Sequence, residues 1–170
     1  TVGQQFGPQI TSLSNGGFVI AWSDSSGLGG DNSDSSIKAQ LFDATGVKVG
    51  NEFLINTATI FTQWASSITG LSDGGFVAAW QDYSGEGGDS SGIAVKAQIF
   101  DATGTKIGSE FLVNTQTANA QLVPQITGLA NGNFVVTWWD TSGTLGDTNS
   151  SIKAQLFDPT GTTVGSEFLF

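Results

Sequence analysis

SNGGFVIAW, residues 14–22, joins a tight-turn signal to a strand. Asn15 and Gly16 tolerate positive φ, the requirement of a two-residue hairpin turn. In the run that follows, Phe18, Ile20 and Trp22 point to one side and Val19 and Ala21 to the other. Both sides are apolar, so the strand is expected to be covered on both faces. The stretch returns as SDGGFVAAW at 72–80 and ANGNFVVTW at 130–138, with Trp22, Trp80 and Trp138 spaced by 58 and 58 residues. A fixed period of this length marks tandem structural units, and it outranks any local reading.

Working outward, each copy holds four short strands. PQITSL (8–13) precedes the turn in the first copy. IKAQLFD (37–43), VKAQIFD (95–101) and IKAQLFD (152–158) form the third strand of the three copies. Ile37, Ala39 and Leu41 alternate with Lys38 and Gln40, which predicts one wetter face. DATGVKVG (43–50) is a turn in which Asp43, like Asp101 and Asp158, caps its own backbone. NEFLINT (51–57) is the fourth strand. Lys38, Lys96 and Lys153 are spaced by 58 and 57, so the third copy has lost one loop residue. No segment carries a 3.6-residue apolar period. The reading is one repeat domain over 1–170, all-β, with units of about 1–58, 59–116 and 117–170. Each unit is a four-stranded antiparallel β-propeller-like blade; a β-trefoil is the alternative. Known propellers have about four to eight blades. Three would therefore need further repeats of the same kind, or a homo-oligomer closing the ring.

Composition narrows the partners. Fifteen acids oppose five lysines, giving a formal charge of −10 with no Arg and no His. Nucleic-acid binding needs cationic phosphate contacts and is excluded on this ground, and an anionic membrane surface would repel the chain. A cation would be attracted. No apolar run approaches the ~20 residues of a membrane span. Without His or Cys there is no Ser-His-Asp triad, no His-ligated zinc and no thiol chemistry. Three equal copies suit repeated binding better than one active centre, so no enzyme is expected.

The acids concentrate in DSSGLGGD (24–31), DYSGEGGD (82–89) and DTSGTLGD (140–147), each following the tryptophan strand. Calcium takes six to eight hard oxygens, and these loops offer carboxylates, hydroxyls and glycine-freed carbonyls. The candidate ligands are Asp24, Ser26 and Asp31; Asp82, Ser84 and Asp89; and Asp140, Ser142 and Asp147. Asp, Ser and Gly are equally the residues of a solvated turn, and both readings stand at this point. The repeated lysines are expected to pair with nearby carboxylates, and Glu52, Glu110 and Glu167 to pair between strands. Trp139 and Tyr83 break the repeat beside the loops and are candidate sugar-stacking rings, the basis of a lectin alternative. Trp64, in the place of Phe6 and Leu122, is expected in the core.

GGFVIAWSDSSGLGGD followed by IKAQLFDATGVKVGNEFLINT resembles a repeat of very large secreted bacterial proteins, the RTX-like, hemolysin-type calcium-binding proteins and adhesins. That repeat has a GGFVVTW strand, a Gly/Asp/Ser loop, a strand ending in AQ-F-D, and G-EF-VNT. All three units match it, and the resemblance covers nearly the whole chain. One position departs: the arginine of the family's AQRF is Leu41, Ile99 and Leu156 here. The resemblance implies an extracellular or bacterial cell-surface location and a non-catalytic repeat or scaffold module. It also implies calcium as a cofactor, although the family's GGxGxDxUx nonapeptide is absent.

Overall fold

The alternating runs form strands and the Asn-Gly and Asp-Gly signals form turns, but the fourth strand expected at 51–57 runs over Lys48–Leu54 and takes the last residues of the expected 43–50 turn. The computed structural model describes residues 3–32, 34–146 and 148–170. Four strands of the first unit, β1 (Gln5–Ser12), β2 (Phe18–Asp24), β3 (Ser36–Phe42) and β4 (Lys48–Leu54), pair in sequential order into one antiparallel sheet. The second unit repeats this with β5 (Gln63–Gly70), β6 (Phe76–Asp82), β7 (Ala94–Phe100) and β8 (Lys106–Leu112). The third has β9 (Gln121–Gly128), β10 (Phe134–Asp140), β11 (Ser151–Phe157) and β12 (Thr163–Leu169). No helix occurs among the described residues. At the 14–17 turn, Leu13 N–H donates to Gly17 O at 2.8 Å and Asn15 Oδ1 accepts the Gly17 amide at 2.9 Å.

The β-trefoil alternative does not match this connectivity. Each unit's strands hydrogen-bond among themselves, and no closed barrel forms. Among the described residues the isolated bridge between units, Ser35 with Thr62, lies outside the named strands.

The sheets pack face against face in chain order. Val19, Ala21, Ile37, Ala39 and Leu41 of the first sheet meet Phe76, Trp80 and Phe100 of the second. On its far side, Val77, Ala79, Val95 and Ile99 meet Phe134, Trp138 and Phe157 of the third. The expected two-sided burial of the tryptophan strand thus holds fully for β6. Phe18, Ile20 and Trp22 in β2, and Val135 and Thr137 in β10, are only partly buried on their outer sides. β1 contacts β5, and β5 contacts β9. Here Thr11 Oγ1 accepts the Gly70 amide at 3.0 Å and Thr69 Oγ1 accepts that of Gly128 at 3.1 Å. A Cβ on Gly70 would lie 2.4 Å from Ser12 O, and one on Gly128 2.6 Å from Gly70 O. The glycines permit this approach of backbones.

The expected wet face of the third strand is overturned. Lys38 and Gln40 are as buried as their apolar neighbours, and β7 is buried throughout. The reason lies in their partners. The Gln40 amide donates to Leu41 O at 3.0 Å and Val49 O at 3.1 Å, where the β3–β4 ladder slips register. Gln98 and Gln155 do the same in β7 and β11. These amides satisfy carbonyls that the irregular ladder leaves open.

Candidate functional site

The register of three neighbouring strands gathers one acid, one lysine and a second acid on the same face of every unit. Lys38 lies opposite both Trp22 and Leu54. Alternation then puts Asp24 and Glu52, each two residues along, at diagonal positions beside it. Lys38 Nζ is 3.1 Å from Asp24 Oδ1 and 3.5 Å from Glu52 Oε1. Lys96 stands 3.3 Å from Asp82 and 2.9 Å from Glu110. Lys153 stands 3.0 Å from Asp140 and 3.1 Å from Glu167. All three lysines and all three aspartates are buried. A lone buried charge is costly, and one paired on both sides is far less so. The pairing expected from sequence for these lysines and glutamates is present.

The loops close over this bridge. Ser26 donates its hydroxyl to Asp24 Oδ1, and its amide does so at 2.9 Å. Ser84 with Asp82 and Ser142 with Asp140 repeat the contact, with amides at 3.0 and 2.9 Å. The same hydroxyls receive the lysine ammonium, at 3.3 Å for Ser26 and Ser84 and 3.0 Å for Ser142. Gly29, at φ +80°, passes so near the lysine that an added Cβ would lie 3.3 Å from Lys38 Cε.

Burial alone would raise the Asp24 carboxyl. Hydrogen bonds from Ser26 and Gln5, with the Lys38 ammonium, outweigh it and hold the group well below the usual carboxylate range. Asp140 is likewise opposed by burial and lowered by Ser142 and Lys153. At the exposed turns, Thr45, Thr103 and Thr160 hydroxyls lower Asp43, Asp101 and Asp158. A carboxylate depressed in the folded chain stabilises it above the unfolded pKa, near 4, and that stabilisation is lost as pH falls toward the folded value. The midpoint of thermal unfolding is therefore expected to stay level from pH 8 to about pH 5 and to fall below about pH 4. Melts across a buffer series check this; a midpoint that held or rose below pH 4 would contradict it.

The second aspartate of each loop has a different task. Asp31 Oδ2 accepts the Asn56 amide at 3.0 Å and Asp89 Oδ2 that of Asn114 at 2.9 Å. Asn56 also contacts Gln63 Oε1 at 3.2 Å, and Asn114 contacts Gln121 Oε1 at 3.1 Å. These residues fasten the end of one unit to the start of the next. Asp147 lies outside the described residues. The structure thus brings Asp24 together with Ser26, Asp82 with Ser84, and Asp140 with Ser142, each around a lysine, while Asp31 and Asp89 serve the junctions.

An ammonium occupies the place of a cation at the first aspartate, and the serine hydroxyl donates to the carboxylate instead of facing an ion. Among the described residues, no three acids converge as a metal cluster.

Glutamates also cross between units, which the sequence reading did not find. Glu110 Oε1 holds Lys96, while Oε2 accepts the Thr57 amide of the preceding unit at 2.6 Å. Glu167 accepts from the Thr115 amide at 2.9 Å and its hydroxyl at 2.7 Å. A cavity of about 400 Å³ opens beside Lys96 and Glu110, bordered by Glu86, Lys106 and Thr57. The signal was available: Asp24, Lys38 and Glu52 are 14 residues apart on either side, and the second copy repeats that spacing.

The aromatics fall elsewhere. Trp139 is exposed on β10. Tyr83, just after β6, accepts the Trp64 indole N–H at 3.2 Å. Trp64 is 40% exposed, so its expected core placement is overturned. The β5 ladder shifts register just beyond it, between Trp64 and Ser67, and the ring meets Phe6 of the first unit edge-on at 6.4 Å. Trp139 and Tyr83 therefore belong to different units.

No protein-family model and no curated protein matches the chain. Among solved structures it is similar to a protein of unknown function from Dyadobacter fermentans DSM 18053, at 11% identity and TM-score 0.65, over 98% of this chain and 54% of that one. It is also similar to an endo-arabinase from Bacteroides thetaiotaomicron VPI-5482, at 13% identity and TM-score 0.57, over 99% of this chain and 63% of the enzyme. The chain thus spans less than two thirds of either neighbour. At such identities the likeness concerns the fold alone.

Proposed function

We propose that this chain is a non-catalytic scaffold module of a secreted bacterial surface or adhesin-type protein, its three sheets stacked as propeller-like blades. The observation that carries the reading is the Asp–Lys–Glu bridge. In every unit a buried aspartate and a glutamate flank the unit's own lysine, in the same geometry three times, as suits a structural role repeated with the fold. Sequential four-stranded sheets packed face to face support the blade arrangement. The resemblance to repeats of secreted bacterial proteins supports the location. In this reading the loops are held by lysine, and calcium would have to displace an ammonium to enter them.

The enzyme alternative has a direct test, since one structural neighbour is described as an endo-arabinase. Incubation with arabinose-containing polysaccharides is expected to release no reducing ends. Release that Asp82→Asn or Asp140→Asn abolished would overturn the scaffold reading.

A second reading, carbohydrate binding without turnover, draws on the exposed rings of Phe6, Trp64 and Trp139. Flat apolar rings at a wet surface suit stacking on sugars. Affinity electrophoresis in the same polysaccharides tests it. Retardation lost in Trp64→Ala or Trp139→Ala favours binding, and unretarded migration leaves the scaffold alone.

A further inference from the structure

We infer that this chain associates with a second copy of itself head to tail, the outer face of the third unit seating on the outer face of the partner's first unit. The inference rests on the blade-stacking reading above and names its partner.

Inside the chain one junction is used twice. Trp80 and Trp138 are buried, at 0% and 1% exposure, each against the preceding sheet. Among the described residues no sheet packs on their counterpart Trp22 from that side, and it is partly exposed with Phe18, Ile20 and Phe42. Ile10 is 65% exposed where Ile68 is 8%. A cavity of about 330 Å³ opens in this face beside Ile20, Trp22 and Phe42. The other end shows the reverse half. Ile152 is 48% exposed where Ile37 is 0%, and Leu156 and Val135 are half-buried where Leu41 and Val19 are buried. The two outer faces are therefore the two halves of the junction that the chain already makes twice. They match each other and not themselves, which is the condition of a head-to-tail contact.

Polar groups at the ends agree. Glu110 and Glu167 each reach back to amides of the preceding unit, while the Glu52 side chain is 50% exposed. Thr11 and Thr69 each accept an amide from the following unit, and Thr127, at the same position of the third, is exposed. Two copies would bring six units together, within the roughly four to eight of closed propellers. One residue departs from the pattern. Ser12 stands where Gly70 and Gly128 allow backbone contact, so the intermolecular junction must stand wider at that strand end than the internal ones.

Sedimentation equilibrium of the 170-residue chain across the micromolar range tests this. The expected mass is twice the 17.5 kDa of the single chain, or a larger multiple. Trp22→Lys and Ile152→Lys, on opposite outer faces, are each expected to give monomers with unchanged circular dichroism. An equimolar mixture of the two is expected to regain a dimer, because each supplies the face the other lacks. Ser12→Gly is expected to tighten association several-fold. A monomer at every concentration overturns the inference, as does association abolished by Trp22→Lys but untouched by Ile152→Lys. A monomer whose X-ray scattering still fits three stacked sheets would remove self-association and leave the blade arrangement standing.

Discussion

Replacing Lys96 by methionine is expected to destabilise the chain by about 3–5 kcal/mol, the cost of removing one partner from a buried ion pair. The methionine fits the stem, but Asp82 and Glu110 lose the ammonium between them. Asp82 keeps the Ser84 amide and hydroxyl, which satisfy one oxygen and supply no positive charge. For a chain of this size the midpoint of thermal unfolding should fall by about 10 °C. Lys38→Met should cost less, because Glu52 is half exposed and water can solvate it. The neutral triple variant Asp82→Asn, Lys96→Met, Glu110→Gln should recover part of the loss, since no orphan charge remains. Denaturant unfolding of the three proteins measures the order. Equal loss in the single and triple variants would show that the bridge acts through packing alone.

Trp80→Ala is expected to cost about 3–5 kcal/mol, the range for a large aromatic removed from a close-packed interior. Trp80 is wholly buried where the second sheet meets the first, beside Phe76 stacked on Phe100 at 4.7 Å. Trp22→Ala removes the same side chain from the same strand position. In the isolated chain it should cost about 1 kcal/mol or less, because only part of the ring is out of water. The contrast isolates the junction from the strand: intrinsic propensity is identical in the two copies, and the neighbouring sheet is not. Calorimetry of both variants reads it. Equal costs would mean that the tryptophan stabilises its own sheet and that face-to-face packing contributes little.

Much of this architecture is legible in the residues. The 58-residue period delimits three similar units, the third one loop residue shorter, the Asn-Gly and Asp-Gly pairs mark the turns, and the two-sided apolar strand calls for a neighbouring sheet. The buried bridge is harder to read because alternation equates polar with wet. Lys38 breaks that equation: its burial depends on Asp24 and Glu52, which lie on two other strands and come within reach only once register is fixed. The roles within the acid loops are hard to read for a related reason. Asp24 and Asp31 are seven residues apart in sequence, yet one faces a lysine across the sheet and the other an asparagine at the unit boundary. Trp64 is legible as a large apolar residue in the place of Phe6 and Leu122, but the register shift beside it is not written in the alternation.

In the function proposed above, lysine and not a metal ion holds the acid loops. Differential scanning calorimetry in millimolar calcium and again in EDTA tests it most directly, since a ligand that binds only the folded chain must raise its unfolding temperature. Equal unfolding temperatures in the two buffers are the predicted result. A rise of several degrees in calcium, lost when Asp82 is replaced by asparagine, would contradict it.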